Sequence, residues 1–289
     1  MNRFVKILGY GVVIGFALIG LAFTIVFIGM RFGAFNVGGS ISGRNAFFLG
    51  SVPASVAQKA AEKQIPCDDA SLTSCDWSQT PQWEVVKQGL IKDQAIIARV
   101  SAETGVSTRL IASVVIPEQI RFFTAEREVF KRYFEPLKIL GSLSQFSLGV
   151  SGIKQETAVQ IEQYANDPTS PFYPGAGISG LISYPSDATD TGTLLYKRLT
   201  DEKDHYYSYL YTAIFIKEIM AQWQQAGFSL ANSPGAIVTL FNIGFEKSHP
   251  NAAPQTAGAP ITVGGTTYAF GELGERFFLS DQILAEFPR

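Results

Sequence analysis

Apolar residues in this chain recur mainly at helical spacing, and the longest apolar run comes first. Ile7 to Met30 is 24 residues without a charge, about 36 Å as a helix against a hydrocarbon core of about 30 Å. Such a run predicts one N-terminal transmembrane helix. The competing reading, a cleaved signal peptide, calls for an apolar region of about 7–15 residues and a small-residue cleavage site. Here Arg31 follows the run directly, which favours an uncleaved anchor over residues 1–32. Residues 33–51 are rich in Gly and Ser and read as a tether.

From residue 52 the pattern predicts a mainly α chain. Ala54 to Lys63 reads as a small helix stopped by Pro66, and residues 52–94 as a helical lead-in to a domain over 95–289. Trp83 to Glu103 keeps helical spacing through Val86, Leu90, Ile97 and Val100, predicting one helix with Gly105 as its stop. Ser107 then caps a helix containing Leu110 to Ile116. A turn at Gly149 leads into a helix over Lys154–Tyr164. Residues 165–193 carry Pro168, Pro171, Pro174 and Pro185 among glycines and read as a long surface excursion. Its Phe172, Tyr173 and Tyr184 either wall a ligand site or pin the loop to the core. Lys203–Gln225 is strongly helical, with its tyrosine cluster read as packing. Pro234 opens a helix ending at Phe241–Asn242, Ile261–Tyr268 reads as a hairpin around Gly264–Gly265, and Glu272–Phe287 as a closing helix.

Charge narrows the function classes. A net charge of −2 over 289 residues offers no basic footprint, so no nucleic-acid partner is expected. His205 and His249 are the only histidines and read as surface or loop residues. No metal cluster, Gly-x-Ser-x-Gly elbow or phosphate-cradling loop occurs, and no cofactor is expected. Cys67 and Cys75 are the only cysteines. They either close a short disulfide loop or remain free thiols; the disulfide reading places the domain in an oxidising compartment, periplasm or cell exterior, with the N-terminus cytoplasmic. Arg3 and Lys6 on one side of the anchor face Arg31 and Arg44 on the other, so charge alone gives no orientation.

The candidate chemistry centres on Glu118. It follows Val114 by four residues and Val115 by three, so on a helix it projects from the apolar stripe. Burial disfavours the charged form of a carboxyl, which suits a general acid. The structural alternative is an ion pair with Arg121 or Arg109, or a helix end emerging into water. Pro117, just before it, removes a backbone donor and predicts a kink.

Downstream lie Ser147-Leu148-Gly149-Val150-Ser151-Gly152-Ile153, then Thr157-Ala158, then Leu240-Phe241-Asn242-Ile243-Gly244, and finally Tyr268. In this order and spacing, over roughly residues 95–285, they resemble the soluble lytic transglycosylase and goose-type lysozyme group of the lysozyme-like superfamily. The resemblance implies a lysozyme-like helical domain with a small β-hairpin that acts on peptidoglycan glycan strands. Glu118 takes the place of the catalytic acid, Gly149-Val150-Ser151-Gly152-Ile153 that of the family's Gly-Leu-Met-Gln-Ile segment, Phe241-Asn242 that of Tyr-Asn, and Tyr268 that of a late Tyr.

Implied substrate-side residues are Ser147, Gly149, Ser151, Phe241, Asn242 and Tyr268. Gly149 would let backbone approach the sugar, Asn242 would hold the acid or an N-acetyl group, and Tyr268 would donate to the carboxylate. The chain departs from the family pattern at Gln119 in place of Ser, Gly152 in place of Gln, and Phe241 in place of Tyr. Two alternatives stand beside the lytic enzyme: a hydrolytic lysozyme drawing a second acid from Glu126, Glu128, Glu135 or Glu156, and a catalytically silent module that binds glycan or scaffolds a wall-spanning assembly.

Overall fold

A computed structural model describes residues 76–122, 147–201 and 203–289. The expected anchor, tether, helix at 54–63 and Cys67–Cys75 loop lie outside the described residues. Within them, nine α-helices and two short antiparallel strand pairs make a mainly helical fold. No described helix is long and apolar enough to cross a membrane.

The stretch expected as one helix from Trp83 to Glu103 is two, α1 (Pro81–Lys92) and α2 (Gln94–Thr104). Both bury their apolar residues in one core, so the periodicity runs through the break. The interruption is Asp93, at φ −90° and ψ 8°. Its carboxylate turns inward, 2.6 Å from His205 Nδ1 and 2.9 Å from the Tyr209 hydroxyl that donates to it. The sequence reads His205 as a surface or loop residue; it does lie in a loop, but not at the surface, being 2% exposed. Buried polar groups need partners, and these three supply one another. Gly105 ends α2 in the left-handed conformation, φ 75°, as expected.

Helix α3 (Thr108–Phe122) starts with Ser107 Oγ accepting from the Leu110 amide at 3.2 Å and continues past Pro117. Every residue from Arg109 to Ile120 is buried, so α3 is surrounded by protein. Arg109 does not face Glu118. Its guanidinium donates to the carbonyls of Phe277, Phe278, Ser280, Gln282 and Phe287, at 2.5–3.2 Å. These acceptors explain a second correction: the closing helix, α9, spans only Phe270–Leu279. Beyond it the carbonyls turn toward Arg109 instead of continuing the helical ladder.

Strands β1 (Ser147–Leu148) and β2 (Ile153–Lys154) pair with Ser147 opposite Lys154, and a four-residue turn joins them. Helix α4 (Gln155–Ala165) follows as expected. The excursion after it contains α5 (Ile178–Ile182), and α6 (Thr191–Thr200) begins at its end. The sequence reading missed α6 because its threonines and Gly192 are weak helix formers. Its best signal is the cap, Asp190 Oδ1 accepting from the Thr193 amide at 2.9 Å. The aromatic residues of the excursion pin it down. Phe172 is buried and stacks on Tyr164 at 4.7 Å, and the Tyr184 hydroxyl donates to Glu162 at 2.5 Å.

Helix α7 (Tyr206–Gln225) packs on α2, α4 and α8 (Pro234–Ile243), while α3 packs on α9, α8, α1 and α2. Tyr206, Tyr209 and Tyr211 are buried packing residues, as expected. The hairpin forms from β3 (Pro260–Val263) and β4 (Thr266–Ala269), with Gly264 and Gly265 at φ 57° and 74°. Positive φ at both turn positions is what a two-residue hairpin turn requires. Trp83 packs 4.9 Å from Trp77 and 5.8 Å from Phe277, so the end of the lead-in packs against the closing helix.

Candidate active site

Segments far apart in sequence meet at a cleft of about 230 Å³. The last turns of α3 contribute Glu118 and Arg121, and the β1–β2 turn with β2 contributes Ser151 to Lys154. Thr157 comes from α4, Phe215 from α7, Phe241 to Gly244 from the end of α8, and Phe270 from α9. A larger depression, about 510 Å³, opens near Leu110, Met220 and Ile237, but its only ionisable lining residue is Lys217. Chemistry therefore favours the smaller cleft, where a carboxylate is almost wholly removed from water.

Glu118 is 2% exposed. Its Oε2 accepts a hydrogen bond from Arg121 Nη2, one turn along the helix. Its Oε1 is buried and has no protein hydrogen-bond donor among the described residues. Directly against that oxygen lies Gly152, at φ 65°; a Cβ built there would overlap Oε1 and stand 2.5 Å from the carboxyl carbon. Glycine at 152 therefore makes room for the acid.

The turn is fastened from two sides. Gln119 Nε2 donates to the Val150 carbonyl. On α7, Ser208 Oγ accepts from the Val150 amide at 3.0 Å, and the Ser208 carbonyl accepts from Ser151 Oγ at 3.4 Å. Gln119 thereby holds the turn that faces its neighbour Glu118.

The expected site residues divide. Ser151, Phe241 and Asn242 line the cleft with Glu118. Phe241 lies 4.9 Å from Phe215, ring to ring, and Asn242 Oδ1 accepts from the Ala259 amide at 2.9 Å. Gly149 does not line it. A Cβ there would stand 2.5 Å from the Leu199 carbonyl, so Gly149 permits close packing on α6 and α7, not the approach of a sugar. Ser147 contributes its backbone to the ladder with Lys154. Tyr268 is buried on β4 under the Arg276 guanidinium, 5.2 Å from its ring centre, and is not part of the lining. Among the described residues Arg121, not Tyr268 or Asn242, bonds to the acid.

Of the possible second acids, Glu156 is exposed on α4 and does not line the cleft; Glu126, Glu128 and Glu135 lie outside the described residues. One carboxyl escaped the sequence reading. Glu218 on α7 is fully buried, with neither oxygen bonded to protein among the described residues, and burial pushes its carboxyl up to about 10. It follows Ile214 by four residues and Phe215 by three, the same stripe logic that singled out Glu118. It does not line the cleft. No group of three metal-ligating side chains occurs among the described residues.

No family model matches the sequence, and no curated protein or solved structure matches it significantly.

Proposed function

We propose that the chain is a membrane-anchored peptidoglycan-cleaving enzyme of lysozyme-like type, a lytic transglycosylase with Glu118 as its general acid and base. The observation that carries this reading is the Glu118 carboxyl itself. It is buried in a cleft wall, one of its oxygens occupies the room that Gly152 leaves, and that oxygen has no protein donor among the described residues. Support also comes from the convergence of the resemblance-bearing segments: Glu118, Ser151–Gly152 and Phe241–Asn242 come from distant parts of the chain and share one cleft. Burial strengthens electrostatic interactions at the reacting centre.

In the implied mechanism, Glu118 gives its proton to the glycosidic oxygen as the bond to the muramoyl anomeric carbon breaks. The resulting carboxylate then takes the proton of the muramoyl 6-hydroxyl as that oxygen closes on the same carbon, leaving a 1,6-anhydro end. Residues 7–30 would hold the domain at the membrane on the peptidoglycan side. No cofactor enters this scheme.

A second reading is favoured by one observation, the Arg121 hydrogen bond to Glu118. A carboxylate held only as half of an ion pair would belong to a silent glycan-binding or scaffolding module. Mass analysis of purified peptidoglycan incubated with the full chain separates the two. Anhydromuropeptides from the parent and almost none from Glu118→Gln, with the fold intact, are expected; no cleavage by the parent would favour the silent module. Hydrolysed reducing ends would indicate a lysozyme.

A further inference from the structure

Glu118 presents neither oxygen to a substrate in the arrangement described. Oε2 accepts from Arg121, and Oε1 is buried with Gly152 directly against it. A general acid must bring a carboxyl oxygen within hydrogen-bond reach of the group it protonates. The cover over Oε1 is thin. Gly152 lines the cleft and is part-exposed, and the strands flanking the turn pair only Ser147 with Lys154 and Leu148 with Ile153. Val150 is fully buried and anchors the turn to the core. Beyond it, two side-chain bonds among the described residues hold Ser151 and Gly152 in place. Gln119 Nε2 donates to the Val150 carbonyl, part of the peptide that joins Val150 to Ser151, and Ser151 Oγ donates to the Ser208 carbonyl at 3.4 Å. The second is near the limit of a hydrogen bond, so the Gln119 amide is the main hold.

We infer that Gln119 is a positioning residue that controls access to the acid. Its bond to the Val150 carbonyl keeps Ser151 and Gly152 folded over Glu118, and a glycan strand is cut only when that pair swings out into the cleft. This rests on the reading of Glu118 as the general acid and names what gates it. The swing leaves Val150 in the core and turns about Gly152, whose φ of 65° already lies where other residues are strained. Two effects oppose each other in it. Covered, Oε1 has no protein donor among the described residues, and a buried acceptor without one bears its desolvation penalty. Uncovered, the same oxygen meets water or substrate. That gain offsets part of the loss of the Gln119 bond and leaves the open form within reach of a ligand's binding energy.

The test reads the carboxyl directly. The full chain in neutral detergent is treated with a carbodiimide and glycine ethyl ester. Label on Glu118 is measured by mass spectrometry of the tryptic peptide spanning 110–121, in which Glu118 is the only acidic residue. Gln119→Met should raise the labelling rate at least about fivefold, the population shift that one net hydrogen bond governs. On soluble peptidoglycan fragments kcat/KM should rise by a similar factor, because the competent fraction rises, while the thermal midpoint falls. Ser151→Ala, a smaller change, should raise the labelling less. Glu218, buried elsewhere on α7, should stay unlabelled in all three chains and so separates local opening from unfolding. Labelling unchanged in both variants, label on Glu218 rising in step with Glu118, or a Gln119→Met chain that labels faster yet cuts no faster than a cutting parent would overturn the inference. A chain that releases anhydromuropeptides with Glu118 labelled alike in parent and variants would lose only the Gln119 assignment. One that shows the labelling pattern yet cuts nothing would lose only the enzyme reading.

Discussion

Gly152 and Glu118 are complementary: the space that a side chain at 152 would fill is occupied by the Glu118 carboxyl, and Gly152 itself sits at φ 65°, where a Cβ is strained. Gly152→Ala should therefore displace the acid and strain the turn together. Stability should fall by about 1–3 kcal/mol. Turnover of peptidoglycan should fall by more than the loss of folded protein explains. Urea denaturation alongside product analysis checks both, and an alanine variant with parental turnover would contradict the assigned geometry.

Glu218 predicts a pH dependence of stability. Its folded-state carboxyl is raised from 4.5 to about 10 by burial, so the folded protein binds the proton more tightly than the unfolded chain does. The neutral form's contribution is thus fully present below about pH 4.5 and is lost as pH rises toward 10. Each unit of separation is worth about 1.4 kcal/mol at most. Glu218→Met, which fills similar space without a charge to bury, should be more stable than the parent at pH 8 and flatten the decline between pH 5 and 9. Denaturation midpoints across that range measure it; parallel curves for variant and parent would show that Glu218 is not the titrating group.

Arg109→Met should be among the most damaging single changes. It removes a fully buried guanidinium and its five bonds to carbonyls; those of Phe277, Phe278 and Ser280 keep donors in Ser280 and Arg289, while those of Gln282 and Phe287 lose the donor that Arg109 gives them. A loss of at least about 3 kcal/mol is expected, because unsatisfied buried acceptors bear their full desolvation penalty. Thermal unfolding of the full chain is the measurement, and a shift of only a degree or two would contradict it.

A fourth prediction concerns topology. Protease added to spheroplasts should remove the domain beyond residue 32. The denatured, unreduced chain should titrate no free thiol if Cys67 and Cys75 are joined. Protection of the domain, or two reactive thiols, would count against a domain outside the cytoplasm.

Much of the helical scaffold was legible in sequence because periodicity and caps mark it: Ser107 and Gly105 bound their helices as read, and the Gly264–Gly265 turn forms. What escaped was governed by tertiary polar contacts. The break at Asp93 is set by His205 and Tyr209, which are more than 100 residues away, and the early end of α9 by Arg109. At the site, the stripe position of Glu118 foretold its burial. Its spacing from Arg121 and Arg109 made either a possible partner, and which arginine reaches it depends on where Arg109 finds its carbonyls. Gly149 and Tyr268 were placed at the site by their order along the chain, yet they pack elsewhere, because order does not determine which face a residue presents.

The Arg109 acceptors lie 168 to 178 residues downstream. During synthesis, α3 therefore emerges long before the groups that make its buried cation tolerable. The helix that bears Glu118 cannot settle into its final surroundings until residues 277–287 have left the ribosome. Emergence of that segment thus acts as a checkpoint on maturation of the cleft, and a product terminated before it would leave the Arg109 guanidinium without these acceptors.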